Sequence, residues 1–511
     1  MSASDAPVRY TAFEPRGFRE TISLLKRQVQ QLYLSDQIPW VLGYSGGKDS
    51  TATLQLVWTA LAELVPAQRS KTIHVISTDT LVENPIVAMW VTHSLDRMRE
   101  AAKEQSMPIE PHRLTPTVTD SFWVNLVGKG YPAPRPKFRW CTSRLKINPS
   151  NDFINGVVDQ NGEAILVLGS RKHESEKRKA VLEKYEGSTR ELLSKNANPR
   201  LDRVWVYTPV SDWSNDDVWQ YLMQVQNPWG HRNKELLGMY QGATADGECP
   251  LVVDTSTPSC GDSRFGCYVC TMVDQDKSMQ AMISNDQEKE WMLPLAELRN
   301  TYLDIKDDRK HRDFRRLDGS LTLFKGRLVH GPYKQSYRET LLRAILRAQT
   351  RVRQHGPEEV KRLQLISIEE LDEIRRIWIQ EKHEIEDSLP RLYEQEIGEP
   401  FPGGAFDDGH SLQAEDIQLL KQICNAETES GELHFQMVRE LLHTEAQYRT
   451  ASRRVGLYDA IDRTLRVGGF DNAEEALQFK LKEDRELASL AVAESVAPYQ
   501  ADLEEVVHHD L

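Results

Sequence analysis

Trp40-Val41-Leu42-Gly43-Tyr44-Ser45-Gly46-Gly47-Lys48-Asp49-Ser50 is the stretch on which the fold turns. Its first half is a short apolar run suited to a buried strand, and its second half is a glycine-rich turn. Beyond the turn, Leu54, Val57, Leu61 and Leu64 recur at helical spacing. Strand, turn and helix in that order set a helix N-terminus, with its unpaired N–H groups, at the strand's end. Glycine lets a ligand approach the backbone closely, and an anion suits such a terminus. Lys48 adds a point charge, and Ser45 and Ser50 add hydroxyl donors. Asp49 would repel a phosphate unless Mg²⁺ intervenes. The string is not the Walker loop, which has four residues between its first glycine and Gly-Lys.

Working outward, Ile73-His74-Val75-Ile76, Ala164-Ile165-Leu166-Val167-Leu168 and Val204-Trp205-Val206-Tyr207 are further strand candidates. Ser214-Asn215-Asp216-Asp217 caps a helix well. Apolar strands separated by helices predict a parallel sheet covered on both faces, and so an α/β domain over 20–280. From 285 to 395 the pattern is mainly helical, with one strand-like interruption at Leu321-Thr322-Leu323-Phe324. Residues 396–411, rich in Gly, Pro and Asp, read as a linker. Helical spacing resumes over 412–480 at Leu433, Met437, Leu441 and Glu445, with Gly456 as a stop, and 481–511 is an acidic tail. Cys424 shares a predicted apolar face with Ile417, Leu420 and Ile423, which makes it a core residue.

Acidic residues number 77 and basic ones 64 in 511, a net charge of −13. That excludes holding nucleic acid through overall basicity, though not through a local basic surface. No apolar run approaches the ~18 residues of a membrane span, and the polar start MSASDAPVRY is unlike a signal peptide, so a cytoplasmic protein is expected. Six cysteines are too few for a disulfide scaffold, and five fall between 141 and 270. Such crowding reads as metal or redox chemistry.

Ser45-Gly46-Gly47-Lys48-Asp49-Ser50 resembles the signature of the PP-loop ATP pyrophosphatases, which cleave ATP between its α and β phosphates. Further elements look like the phosphoadenosine phosphosulfate (PAPS) reductase branch. Ser77-Thr78-Asp79-Thr80, with Glu83, is similar to the segment lying along the nucleotide. Gly169-Ser170-Arg171-Lys172-His173-Glu174-Ser175 resembles the Gly-x-Arg-x-x-Glu-Ser element. Pro209-Val210-Ser211-Asp212-Trp213 and Asp217-Val218-Trp219 resemble its Pro-Leu-x-x-Trp…Asp-Val-Trp stretch. The resemblance covers about 35–275 and implies an adenine-nucleotide alpha-hydrolase-like parallel sheet flanked by helices, here with a mainly helical C-terminal extension. It also implies that Ser45 to Ser50, Asp79, Thr80, Arg171 and Glu174 line an ATP site. Trp213 and Trp219 read as core packing.

Cys267-Tyr268-Val269-Cys270 is a Cys-x-x-Cys knuckle, preceded by Cys260 and Cys249 at intervals of 7 and 11. Cys141 lies in Arg139-Trp140-Cys141-Thr142-Ser143-Arg144-Leu145-Lys146. Thiolates so spaced suit either tetrahedral zinc or the corners of an iron–sulfur cluster. In iron–sulfur members of the branch, an adjacent cysteine pair in an element like 139–146 joins a later knuckle around a [4Fe–4S] cluster. The resemblance therefore implies Cys141, Cys267 and Cys270 as ligands. Only one cysteine stands in that element here, so Cys260 is the candidate fourth ligand and Cys249 the redox or sulfur-carrying residue.

Between Lys306 and Arg353, fourteen Lys/Arg stand against five Asp/Glu, with Phe314, Phe324, Tyr333 and Tyr337 interleaved. Such a segment can neutralise DNA phosphates, although a solvated helical face explains it too. No Glu-Cys-Gly-type tail of the sulfonucleotide reductases is recognisable. Together these features resemble the DndC family of bacterial DNA phosphorothioation. That resemblance implies an ATP-dependent sulfurtransferase with a cysteine desulfurase as sulfur donor and DndD- and DndE-like partners. In it, Lys48, Asp49 and Cys249 act in catalysis, with Mg²⁺ near Asp49. A tRNA base thiolase, a sulfonucleotide reductase relative and a nucleotide-binding regulatory subunit are the alternatives.

Overall fold

The computed structural model describes residues 10–14, 16–174, 176–185, 192–244, 265–404, 412–449 and 453–489. Two units emerge. One draws on Met1–Phe122, Pro134–Asp304 and Ala348–Leu365, the other on Trp123–Ala133, Ile305–Arg347 and Ile366–Leu511.

The first unit is built on a six-stranded sheet. β1 (Trp40–Gly43) is central, with β2 (Ile73–Thr78) and then β3 (Ile109–Leu114) on one side. On the other side comes β4 (Ala164–Val167), and the short β5 (Ser194–Lys195) forms the far edge beyond β6 (Val204–Tyr207). All neighbours are parallel except β5, which runs antiparallel to β6. Trp40, Val41 and Leu42 are fully buried, each contributing roughly 1.5–3 kcal/mol on the usual transfer scale.

Strand side chains alternate between faces, and the packing follows. Trp40 and Leu42 join the layer made by α1 (Phe18–Leu34), α2 (Lys48–Ala62) and α3 (Pro85–Glu104). Val41 joins Ile76 and α4 (Asn148–Asn161) on the opposite face. The expected doubly covered parallel sheet is therefore present. Ser214 and Asp217 form a reciprocal capping box on the helix Asn215–Gln224, as the sequence predicts. Trp213 and Trp219 are buried in the core.

Strand order reverses between β1 and β4, and open α/β sheets bind ligands outside the carboxyl ends of the strands at such a reversal. The turns that follow β1 and β4 meet there. A Cβ on Gly169 would lie 2.8 Å from the Asp49 carbonyl oxygen, so only glycine allows this approach.

Helices dominate the second unit, among them Ile368–Arg376, Ser388–Ile397, Glu429–Arg449 and Leu457–Gly468. A hairpin of β7 (Leu323–Phe324) and β8 (Arg327–Leu328) accounts for the strand-like interruption. Several sequence expectations need correction here. Gly456 does not stop a helix; with φ 86° it is the N-cap of Leu457–Gly468. Cys424 is not a core residue. Its helix, Ala414–Cys424, buries no side chain, and Ile423 is 72% exposed. Successive helical residues diverge by about 100°, so 423 and 424 cannot share one narrow face.

The basic segment is also less open than its composition suggests. Phe314, Tyr333 and Tyr337 are buried, leaving Phe324 exposed. Arg312 donates to the carbonyls of Gly331 (2.8 Å) and His330, while Arg315 grips Asp313 and Gln436, each at 2.7 Å. Both arginines serve the fold. Among the described residues no helix is long and apolar enough to cross a membrane.

Candidate functional site: a phosphate loop beside three thiols

The turn after β1 is held open by specific contacts. Gly46 has φ 73°, in the left-handed region that favours glycine. A Cβ there would come within 2.5 Å of Val91. The Trp90 indole donates to the Gly46 carbonyl at 3.2 Å, fixing the turn against α3. Ser50 Oγ accepts from the Ser45 N–H (3.2 Å) and donates to the Gly47 carbonyl (3.1 Å). Gly47 is the N-cap of α2 and, as a glycine, makes no side-chain capping bond of its own. A helix N-terminus beside the Lys48 ammonium suits a polyphosphate. The Lys48 ammonium is 3.4 Å from Asp49 Oδ2 and 5.3 Å from the Tyr240 ring centroid. The Tyr240 hydroxyl accepts from the Lys48 backbone N–H at 3.3 Å, and burial pushes its pKa well above the usual range.

Asp49 has its own counter-ion. Arg171, from the turn after β4, donates through Nε to Asp49 Oδ1 at 2.7 Å and through a terminal nitrogen to the Trp213 carbonyl at 3.2 Å. Arg171 is 3% exposed, so this pair is largely removed from solvent. It cancels part of the repulsion between Asp49 and an incoming phosphate. Glu174 closes the 3-10 turn Lys172–Glu174 that follows. At the end of β2, Asp79 accepts from the Leu81 N–H (2.8 Å) and from Arg113 Nε (3.0 Å).

Next to Asp79 the chain reaches the thiols. Thr80 is fully buried, and its hydroxyl lies 3.4 Å from Cys267 Sγ. Glu83 pairs with Cys267 in an isolated antiparallel bridge, and the Tyr268 N–H donates to the Val82 carbonyl at 3.0 Å. The knuckle closes on itself through Cys270 N–H to the Cys267 carbonyl (3.0 Å). The buried Arg299 ties it down by donating to the Cys270 carbonyl at 2.7 Å. Cys141 sits at the start of a π-helical turn, Thr142–Ile147.

Electrostatics tie these groups together. Burial pushes the Cys267 thiol up to about 11, with Lys146 opposing the shift and Glu83 adding to it. Burial likewise raises Cys141, and the nearby Cys270 raises it further. For Lys146, burial is outweighed by Cys267, Glu83 and Cys141, and its pKa rises. Its ammonium is 3.5 Å from Glu83. Cys141, Cys267 and Cys270 thus share one neighbourhood. Zinc–sulfur bonds of roughly 2.3 Å put tetrahedral ligands ~3.8 Å apart. Among the described residues only His74, Glu110 and His112 bring three metal-ligating atoms within 4.8 Å of one another. At least one pair of the three sulfurs is therefore more than 4.8 Å apart. Cys249 and Cys260 lie outside the described residues.

Sequence reading missed Trp90, Tyr240, Arg113 and Arg299. None belongs to a local motif, because each reaches the site from a distant element. Lys146 lies within the 139–146 element, where its charge was the only signal.

Residues 39–231 match the phosphoadenosine phosphosulfate reductase domain. Over 211 residues the chain is 26% identical to an uncharacterised protein of Methanocaldococcus jannaschii, covering 41% of this chain and 36% of that protein. The aligned part thus spans about a third of the relative's length. Among solved structures the chain is similar to the PAPS reductase of Candida auris in its phosphate complex. There the identity is 12%, over 40% of this chain and 86% of the other, with a TM-score of 0.23. It is also similar to the U34-tRNA thiolase NcsA of Methanococcus maripaludis with its [4Fe-4S] cluster, at 13% identity over 57% and 82% of the two chains and a TM-score of 0.27. The family match, with the parallel sheet and the loop after β1, marks a PAPS reductase-like domain over residues 39–231.

Proposed function

We propose that the protein is an ATP-dependent sulfurtransferase of the DndC type, replacing a non-bridging oxygen of the DNA backbone with sulfur. The observation that carries this reading is the contact between Thr80 and Cys267 at 3.4 Å. It joins the segment after β2, which flanks the phosphate loop, to a group of thiols.

The chemistry follows from a poor leaving group. A phosphodiester oxygen does not leave by itself. Transfer of AMP from ATP onto that oxygen releases pyrophosphate and turns the oxygen into part of a phosphoanhydride. A sulfur nucleophile then attacks the DNA phosphorus, and AMP departs with the oxygen. Lys48 and the N-terminus of α2 stabilise the negative charge that builds on the leaving pyrophosphate. Arg171 orients Asp49 and keeps its charge from opposing the nucleotide. Mg²⁺ arriving with ATP supplies further charge neutralisation near Asp49. Cys141, Cys267 and Cys270, with Cys260 as fourth ligand, would be the residues to hold a [4Fe–4S] cluster, which would supply iron–sulfur chemistry beside the nucleotide segment. Cys249 is the candidate sulfur carrier: as a persulfide its terminal sulfur would bond to phosphorus, and an external thiol or electron donor would supply the two electrons that cleave the S–S bond and return the cysteine thiol. A cysteine desulfurase would provide the sulfur, and DndD- and DndE-like proteins would complete the assembly on DNA.

The test is anaerobic incubation of the full chain with ATP, Mg²⁺, a radiolabelled sulfur donor and either duplex DNA or tRNA. ATP-dependent label in DNA supports the proposal. Label confined to tRNA points to a base thiolase, and ATP bound without turnover points to a regulatory subunit.

A further inference from the structure

A second cluster of ligating atoms lies on the body of the sheet. His74 of β2 and Glu110 of β3 are partners in the parallel ladder, and His112 lies two residues further along β3. Residues two apart on a strand share a face. All three side chains emerge on the α4 side, where the Phe153 ring is 5.6 Å from His74 and 4.7 Å from His112. His74 Nδ1 is 3.1 Å from His112 Nε2 and 3.5 Å from Glu110 Oε2, and the last two atoms are 4.0 Å apart.

Those three distances define where an ion would sit. A point equidistant from the three atoms lies ~2.1 Å from each, within the roughly 2.0–2.2 Å of zinc–nitrogen and zinc–oxygen bonds. We propose that His74, Glu110 and His112 form a divalent transition-metal site that takes zinc, with water in the remaining positions. Two imidazoles and one carboxylate form a donor set that suits such ions better than magnesium or calcium. Access comes from solvent, because the Glu110 side chain is 59% exposed. Arg99, held by Asp96 at 2.7 Å, is the nearby opposing cation. The site lies away from the Asp79 end of β2: His74 precedes Asp79 by five residues, roughly 16 Å of extended chain. An ion here would fasten the edge strand β3 to β2. This inference does not depend on the sulfurtransferase reading.

The test is equilibrium dialysis of zinc alone against anaerobically prepared full chain, comparing wild type with Glu110→Gln, His112→Ala and Cys267→Ser. Glu110 is exposed, so its variant keeps the fold, which circular dichroism checks. Wild type and Cys267→Ser should bind an equivalent of zinc that the other two variants bind at least ~10-fold more weakly, since even outer-shell changes cost about 10–100-fold. Cobalt in the same site should give d–d bands without near-ultraviolet sulfur charge transfer. Equal zinc binding by wild type, Glu110→Gln and His112→Ala would leave only a ring-to-ring hydrogen bond and overturn the proposal. Loss in Cys267→Ser with retention in Glu110→Gln would assign the ion to the thiols and overturn it equally.

Discussion

Arg171→Gln isolates the electrostatic core of the site. The guanidinium is 3% exposed and makes two directed contacts, to Asp49 at 2.7 Å and to the Trp213 carbonyl at 3.2 Å. Its loss strands the Asp49 carboxylate, with Lys48 at 3.4 Å as the neighbouring cation. Removing one partner of a buried pair costs about 3–5 kcal/mol. Asp49 keeps some solvent contact, with its side chain 24% exposed, so the low end applies. The missing bond to Trp213 adds about 1 kcal/mol. A total near 4 kcal/mol is expected in the urea transition of the sheet unit. ATP affinity should fall as well, because the carboxylate now opposes the phosphates. The diagnostic is the double variant. Adding Asp49→Asn removes the stranded charge and should recover about 2 kcal/mol of stability together with much of the ATP affinity, measured by nucleotide titration. Simple additivity of the two substitutions, with no recovery in either readout, would refute the reasoning.

Gly46→Ala should cost about 2–4 kcal/mol, the left-handed backbone and the 2.5 Å approach to Val91 acting together; wild-type melting behaviour would contradict it. His231 packs on Trp90, and burial, then Arg97 and His93, hold its pKa down to about 4. Neutral His231 therefore contributes stability that is full above about pH 6.5, fades as the pH falls and is gone below about 4, in all about 2 kcal/mol once solvent screening is allowed for; His231→Gln should flatten that slope in acid-denaturation curves. Neutralising the exposed Lys310, Arg316, Lys325 and Arg327 should weaken DNA binding and reduce its salt slope by up to about 0.9 for each phosphate no longer neutralised, whereas Arg315→Ala should show up as reduced stability. Cys141→Ser, Cys267→Ser and Cys270→Ser should each lose iron in anaerobic preparations, while Cys249→Ser should keep iron and lose sulfur transfer; the opposite pattern would exchange their roles.

The strands at Trp40, Ile73, Ala164 and Val204 were legible because buried parallel strands are continuous apolar runs. Two others were not. β3 reads Ile-Glu-Pro-His-Arg-Leu, an edge strand whose proline and charges hide its periodicity, and β5 has only two residues. The same polar content that concealed β3 supplies Glu110 and His112. The glycine-rich loop after β1 was legible as a candidate phosphate site because its glycines, lysine and serines are contiguous. Its supports were not, since Trp90 and Tyr240 converge on it only after the chain has folded. The sequence marks Arg171 as a candidate nucleotide-site residue, yet its pairing with Asp49 across the strand reversal needs the sheet order. Charge counting misled at Arg312 and Arg315, where carbonyls and Asp313 absorb the donors that composition alone leaves open.

The central claim is that AMP leaves with the oxygen that sulfur replaces. Duplex DNA carrying ¹⁸O at its non-bridging phosphate positions, turned over anaerobically with unlabelled ATP and a sulfur donor, tests it directly by mass spectrometry of the nucleotide product. The account predicts AMP bearing one ¹⁸O for each phosphorothioate formed, with unlabelled pyrophosphate. ADP as the main product, or unlabelled AMP alongside sulfur-containing DNA, would contradict it.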